Sequence, residues 1–218
     1  MFEPVTFAGI TMPLISFILI GSAIAFFLVM QIARGMVFNK LQRLFDHEQF
    51  DAFLAAVDEP RMRFFIPAYN REYLRLNGYI AQDDASKARQ SLDLLLAMRA
   101  SIAQRDDLLF KAFQFYMQQE SWDDAKTILD EMKSYKRHGK RTAECKKAWE
   151  IFGNGSFAYI DEMEEAFDGA SYALKVSYAL MLHAQYTSKR DEEAAKAWRD
   201  KARELLENPP RKGPADAS

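Results

Sequence analysis

From residue 36 to residue 207 the chain alternates large apolar and polar positions with a helical period, in paired short runs. The clearest pair covers 109–132. Leu109, Ala112, Phe113 and Tyr116 recur at helical spacing, a polar turn follows at 119–121, and Trp122, Ala125, Ile128, Leu129 and Met132 resume it. The same reading predicts helix pairs at 36–45 with 49–57, 67–81 with 85–99, 105–118 with 122–134, 140–152 with 156–168, and 171–187 with 191–207. Asp83 and Asp84 supply a turn and a cap, and Gly153, Asn154 and Gly155 split the fourth pair. Glu59 and Pro60 end the first pair; Asn208, Pro209 and Pro210 end the last.

Ahead of these pairs, residues 5–33 carry no charge. At ~1.5 Å per residue, 13–33 spans about 31 Å, close to a ~30 Å hydrocarbon core. Pro13 suits the first turn of that helix, and 5–12 would lie at the interface. The membrane contact is therefore 10–33. A cleaved signal needs a positive start, and the only side-chain charge before the span is Glu3. Arg34, Lys40 and Arg43 follow the span and no Lys or Arg precedes it. The positive-inside rule then gives a single-pass protein with its N-terminus outside and its soluble domain cytoplasmic. Gly21 and Ala25 form a small-xxx-small pair, a motif too permissive to assign a helix partner. The single cysteine, Cys145, fits a reducing compartment.

A fixed spacing ties the pairs together. Tyr79 precedes Ala88 by nine residues, Tyr116 precedes Ala125 by nine, and Tyr186 precedes Ala195 by nine. The tyrosines are 116 − 79 = 37 and 186 − 116 = 70 apart, the latter twice 35. The missing unit falls on Ile151 and Ile160, and a step of 36 back from Ala88 reaches Ala52. A helical pattern with a period near ~34 residues resembles the tetratricopeptide repeat family. Leu109 stands for that family's first aromatic, Ala112 and Phe113 for its large–small pair, and Tyr116, Ala125 and Leu129 fill the next places. Phe113 stands where the family prefers glycine and Arg137 where it prefers proline. The alternative for the same periodicity is an irregular helical bundle.

The resemblance implies an all-α chain: one N-terminal transmembrane helix, then a helical-hairpin solenoid of about five pairs. The domains are a 1–35 anchor, a 36–207 solenoid and a 208–218 disordered tail. The 218 − 35 − 11 = 172 central residues match five units of ~34. With Gly 9 and Pro 7, the turn residues are too few for a sheet-rich fold.

In this family the first helix of each pair lines a concave groove that holds a partner's peptide or helix. By register with 109–132, that side carries Tyr73, Asn77, Phe110, Gln114, Cys145 and Trp149. Tyr73, Phe110 and Trp149 read either as a ladder of apolar anchors or as core. Members that clamp a carboxylate tail carry Lys and Arg where this chain has Tyr73 and Phe110, which argues against that role.

Charge is blocky. Lys133, Lys136, Arg137, Lys140, Arg141, Lys146 and Lys147 face only Glu144 within 133–147, while 161–168 holds five acids and no base. These blocks either offset each other within one helix pair or present the basic patch to anionic lipid or an acidic partner. A sequence pI near 6.0 and the lack of a binding motif argue against nucleic acid. His47, His138 and His183 are scattered, and there is no phosphate loop, nucleophile elbow or Cys-x-x-Cys. The reading is therefore no enzyme, no metal and no cofactor. The function expected is a membrane-anchored adaptor or scaffold that binds a protein partner in its groove. The alternative is a structural or assembly subunit of a membrane complex, held through its span and basic block.

Overall fold

Helix-to-helix turns of one kind organise this chain. The computed structural model describes residues 4–7, 10–134 and 139–210, which are helical apart from one short ribbon and the connecting turns. In the ribbon, β1 (Pro4–Phe7) pairs antiparallel with β2 (Ile10–Pro13), Pro4 opposite Pro13 and Phe7 opposite Ile10. This corrects the expectation of an interfacial segment feeding a helix at Pro13: Pro13 ends β2, and the helix starts one residue later. Val5, Thr6, Phe7, Ile10 and Thr11 are β-branched or aromatic residues with a strand preference. Lack of charge had hidden that preference.

α1 (Leu14–Asp46) is a single helix of 33 residues, about 50 Å long. It is long and apolar enough to cross a membrane. Its segment Ser22–Asp46 has a mean hydropathy of 1.4 over the most apolar stretch, none of it buried. Ile24, Phe26, Phe27, Leu28, Val29 and Ile32 are all exposed, and the apolar exposure runs on through Met36 and Phe38. The boundary expected at 35/36 falls inside this unbroken helix.

The chain forms two compact units, Met1–Ala100 and Ser101–Ser218. In the first, the end of α1 packs on α2 (Phe50–Asp58), α2 packs on α3 (Met62–Phe65) and α4 (Ala68–Ala81), and α4 pairs with α5 (Ala85–Ala97). Leu41, Phe53, Ala56, Val57, Met62 and Ile66 form one buried core, flanked by Val37, Leu44 and Phe45 of α1. Glu72 is buried on α4 and satisfied by Arg75 at 2.7 Å, which also reaches Asp58.

The second unit holds α6 (Ile102–Gln118), α7 (Trp122–Ser134), α8 (Gly139–Phe152), α9 (Ile160–Phe167), α10 (Tyr172–Lys189) and α11 (Glu192–Glu207). A capping box opens α6: Ser101 accepts from the Gln104 N–H at 3.2 Å and Gln104 accepts from the Ser101 N–H at 3.0 Å. Gln185, fully buried on α10, accepts the Tyr159 N–H at 2.9 Å and so ties the start of α9 to α10.

The nine-residue spacing now has a cause. Glu48, Asp83, Glu120 and Arg190 all adopt a left-handed backbone (φ 57, 58, 53 and 64°). In each case the next residue's N–H reaches back six positions, counted inclusively: Gln49 to Leu44, Asp84 to Tyr79, Ser121 to Tyr116, Asp191 to Tyr186. The left-handed residue itself donates to Phe45, Ile80, Met117 and Thr187 respectively. This pair of bonds is the Schellman motif, made four times among the described residues. The residue after it heads the next helix, and the position four further on is buried: Phe53, Ala88, Ala125 and Ala195. Tyrosine and alanine are nine apart because one turn lies between them. Ala88 and Ala125 are wholly buried, as expected where two helices cross.

Two units depart from the expected spacing. In the first pair the buried position is Phe53, and Ala52, one residue earlier, is exposed. In the fourth, Gly155 (φ 64°) sits in a wider turn where the Ser156 N–H reaches Glu150, and α9 begins at Ile160, not 156. Past Glu207 the chain leaves helix at Asn208; the tail expected to be disordered lies, from 211 on, outside the described residues.

Candidate functional site

The second unit carries an open cleft of about 590 Å³ between α6, α8 and α10. Its α6 wall is Phe110, Phe113, Gln114, Met117 and Gln118, an i, i+3, i+4, i+7, i+8 stripe. The α8 wall is Glu144, Cys145, Ala148 and Phe152, and α10 adds Ser177 and Met181. Trp122 and Glu120 close the end at the α6–α7 turn. The lining holds four aromatics and two thioethers, with two amides and two carboxylates and no Lys or Arg. It suits an apolar segment whose backbone could bond Gln114 and Gln118. Cys145 is buried at the base of the cleft, and burial pushes its thiol up to about 11.

Phe110, Gln114 and Cys145 thus come together as the helix register places them. Phe110 is half-buried, with the Arg141 guanidinium 4.6 Å above its ring. Trp149 is not a wall of this cleft. Its indole N–H donates to the Trp122 carbonyl at 3.1 Å and Lys126 lies 5.3 Å over its ring, so it is turned toward α7. The α8 wall instead repeats at 144, 145, 148 and 152, one position before Trp149. Phe152 takes the place expected of Trp149. Met117, Phe152 and Met181 were missed, although Met117 follows Phe110 by two turns and was within reach of the same periodicity.

Tyr73 and Asn77 belong to the first unit. Tyr73 is half-buried and stacked on Tyr69 with ring centroids 6.3 Å apart. Asn77 lines a separate cavity of about 250 Å³ with Phe38, Leu41, Phe45 and Phe53, on the side where α4 faces α1.

The basic block is largely neutralised. Lys133 pairs with Asp130 at 2.8 Å, Arg141 with Asp106 at 3.3 Å and Asp107 at 3.5 Å, Lys146 with Glu150 at 3.4 Å, and Lys147 with Glu162 at 2.6 Å. The Lys147 pair joins the basic and acidic blocks, so they offset each other across α8 and α9. Lys140 is exposed with no ion pair among the described residues, and Lys136 and Arg137 lie outside them. Glu150 also accepts from the Tyr159 hydroxyl, which lowers the carboxyl and raises the phenol to about 12.

Against protein-family models, curated proteins and solved structures, the chain finds no match. Function must therefore be argued from the site. Among the described residues, no group of three or more His, Cys, Asp or Glu side chains is placed to hold a metal ion.

Proposed function

We propose that this chain is a membrane-anchored helical-repeat adaptor of tetratricopeptide-like pairs. α1 anchors it with the amino end outside and the helix pairs in the cytoplasm. The cleft of α6, α8 and α10 takes an apolar segment of a protein partner. One observation carries the reading: the cleft walls come from the first helices of successive pairs, with an aromatic or methionine side chain lining the cleft from each, half-buried at Phe110, Met117 and Met181 and exposed at Phe152. Interfaces are commonly anchored by such residues. The alternative, a complex subunit held through its span and basic block, is weakened because Lys133, Arg141, Lys146 and Lys147 are already paired.

The test uses the full chain in its native membrane. A photo-crosslinking residue at Gln114 should give one discrete protein adduct, and the same probe at the exposed Thr127 of α7 should not. Phe110→Ala should weaken that capture about 30-fold, the equivalent of ~2 kcal/mol, with melting unchanged. A melting temperature that collapses would make Phe110 a core residue; equal adducts at Gln114 and Thr127 would remove the cleft from the function.

A further inference from the structure

The end of α1 carries a second feature that the adaptor reading leaves unused. Met36, Asn39, Lys40, Arg43, Leu44 and His47 follow one another at i, i+3, i+4, i+7, i+8 and i+11, so they share one face. With Gln49 they line an open cavity of about 500 Å³, and no carboxylate is among its lining residues. Lys40 reaches Glu59 at 3.2 Å and remains about half exposed. Arg43 is exposed and makes no ion pair among the described residues, unlike the paired cations of 133–147.

The position of this cavity along α1 is informative. The exposed apolar side chains end at Phe38. Lys40 and Arg43 lie two and five residues further, about 3 and 7.5 Å along the axis. A bilayer with a ~30 Å core and a total thickness of ~40–45 Å has a headgroup layer of about 5–8 Å on each side. With Phe38 at the edge of the hydrocarbon, a register about five residues later than 13–33 in which the exposed Arg34 snorkels to the interface, the two cations fall at headgroup depth. A guanidinium presents paired donors that match phosphate oxygens. His47 and Asn39 add donors, and Met36 and Leu44 offer apolar surface where acyl chains begin.

We propose that this cavity binds the headgroup of an anionic phospholipid, its phosphate held by Arg43 and Lys40. The proposal rests on α1 crossing the membrane, which alkaline carbonate extraction tests separately. The full chain, released from micelles holding equal phosphatidylglycerol and phosphatidylcholine, is weighed by native mass spectrometry. Phosphatidylglycerol should be retained in preference. Arg43→Gln and Lys40→Gln should each lower that preference about fivefold, the effect of one basic residue at an anionic surface. Arg43→Lys should keep most of it, and Lys140→Gln should leave it unchanged. Inorganic phosphate at the same concentration should not displace the lipid. Displacement would make this a site for free anions and overturn the lipid assignment. Equal retention of both lipids, or an unchanged preference in the folded Lys40→Gln/Arg43→Gln double variant, would also overturn it. A chain that washes out with carbonate refutes the span and this site together; one that stays yet shows no preference refutes the site alone.

Discussion

Gly78 offers the sharpest test of the packing in the first unit. It lies on α4 where that helix crosses α2. A Cβ added there would meet Leu54 Cδ2 at 2.7 Å, Leu54 Cγ at 3.1 Å and Phe53 Cδ1 at 3.2 Å. Overpacking of this kind costs ~1–3 kcal/mol. Alanine favours a helix over glycine by ~1 kcal/mol, so Gly78→Ala should be neutral to about 2 kcal/mol destabilising. Leu54→Ala removes the two closest contacts. In that background Gly78→Ala should instead stabilise, by up to ~1 kcal/mol, so the sign of one substitution turns on its neighbour. The coupling in this double-mutant cycle is then ~1–3 kcal/mol. The assay is urea unfolding of the full chain in mild detergent, followed by helical circular dichroism. If Gly78→Ala stabilises the otherwise unchanged chain by ~1 kcal/mol, α4 does not approach α2 at this point and the crossing is wrong.

Two further outcomes follow. Arg190 is exposed and held at φ 64°; a left-handed backbone costs an L-residue ~1–2 kcal/mol, and glycine gives back ~0.4–1 kcal/mol as unfolded-chain entropy. Arg190→Gly should therefore raise the stability of the second unit by about 1 kcal/mol and Arg190→Val should lower it; a loss with glycine would refute the turn. The Cys145 thiol is raised from its ordinary value near 9 to about 11 by burial. Its contribution to stability is thus fully present below pH 9 and is lost as pH rises toward 11. Maleimide labelling of the native chain should stay slow near neutral pH and speed up only on unfolding, and fast labelling at neutral pH would refute the burial.

Much of the helical organisation was legible because periodicity and turn residues agree. The pairs around Asp83 and Asp84, around Ser121, and around Asp191 need only an apolar stripe and a good cap. The left-handed turn itself could not be read, since Glu48, Asp83, Glu120 and Arg190 stand where glycine would have advertised it. The ribbon at the amino end was hidden by the absence of charge, which dominates any reading of that stretch. In the cleft, Phe110 and Gln114 were legible from the helical register of α6. Trp149 keeps the same step of 35 from Gln114 that Cys145 keeps from Phe110, but its indole N–H is drawn to the Trp122 carbonyl of α7, a bond that no periodicity shows, and Ala148 and Phe152 line the cleft instead.

The unbroken course of α1 has a mechanical consequence. Leu41 is buried in the core of the first unit, with Val37, Leu44 and Phe45 packed beside it, so α1 supplies both the apolar belt and part of that core. No flexible tether separates them. In a bilayer, the helix therefore acts as a lever. Helices meet changes in hydrocarbon thickness by tilting, over a range of about 0–40°. From Phe38 to Asp46 the arm is eight residues, about 12 Å, so a tilt of about 20° sweeps its end sideways by roughly 4 Å. On the proposed anchoring through α1, the attached core would follow as a body, and the attitude of the first unit would report membrane thickness.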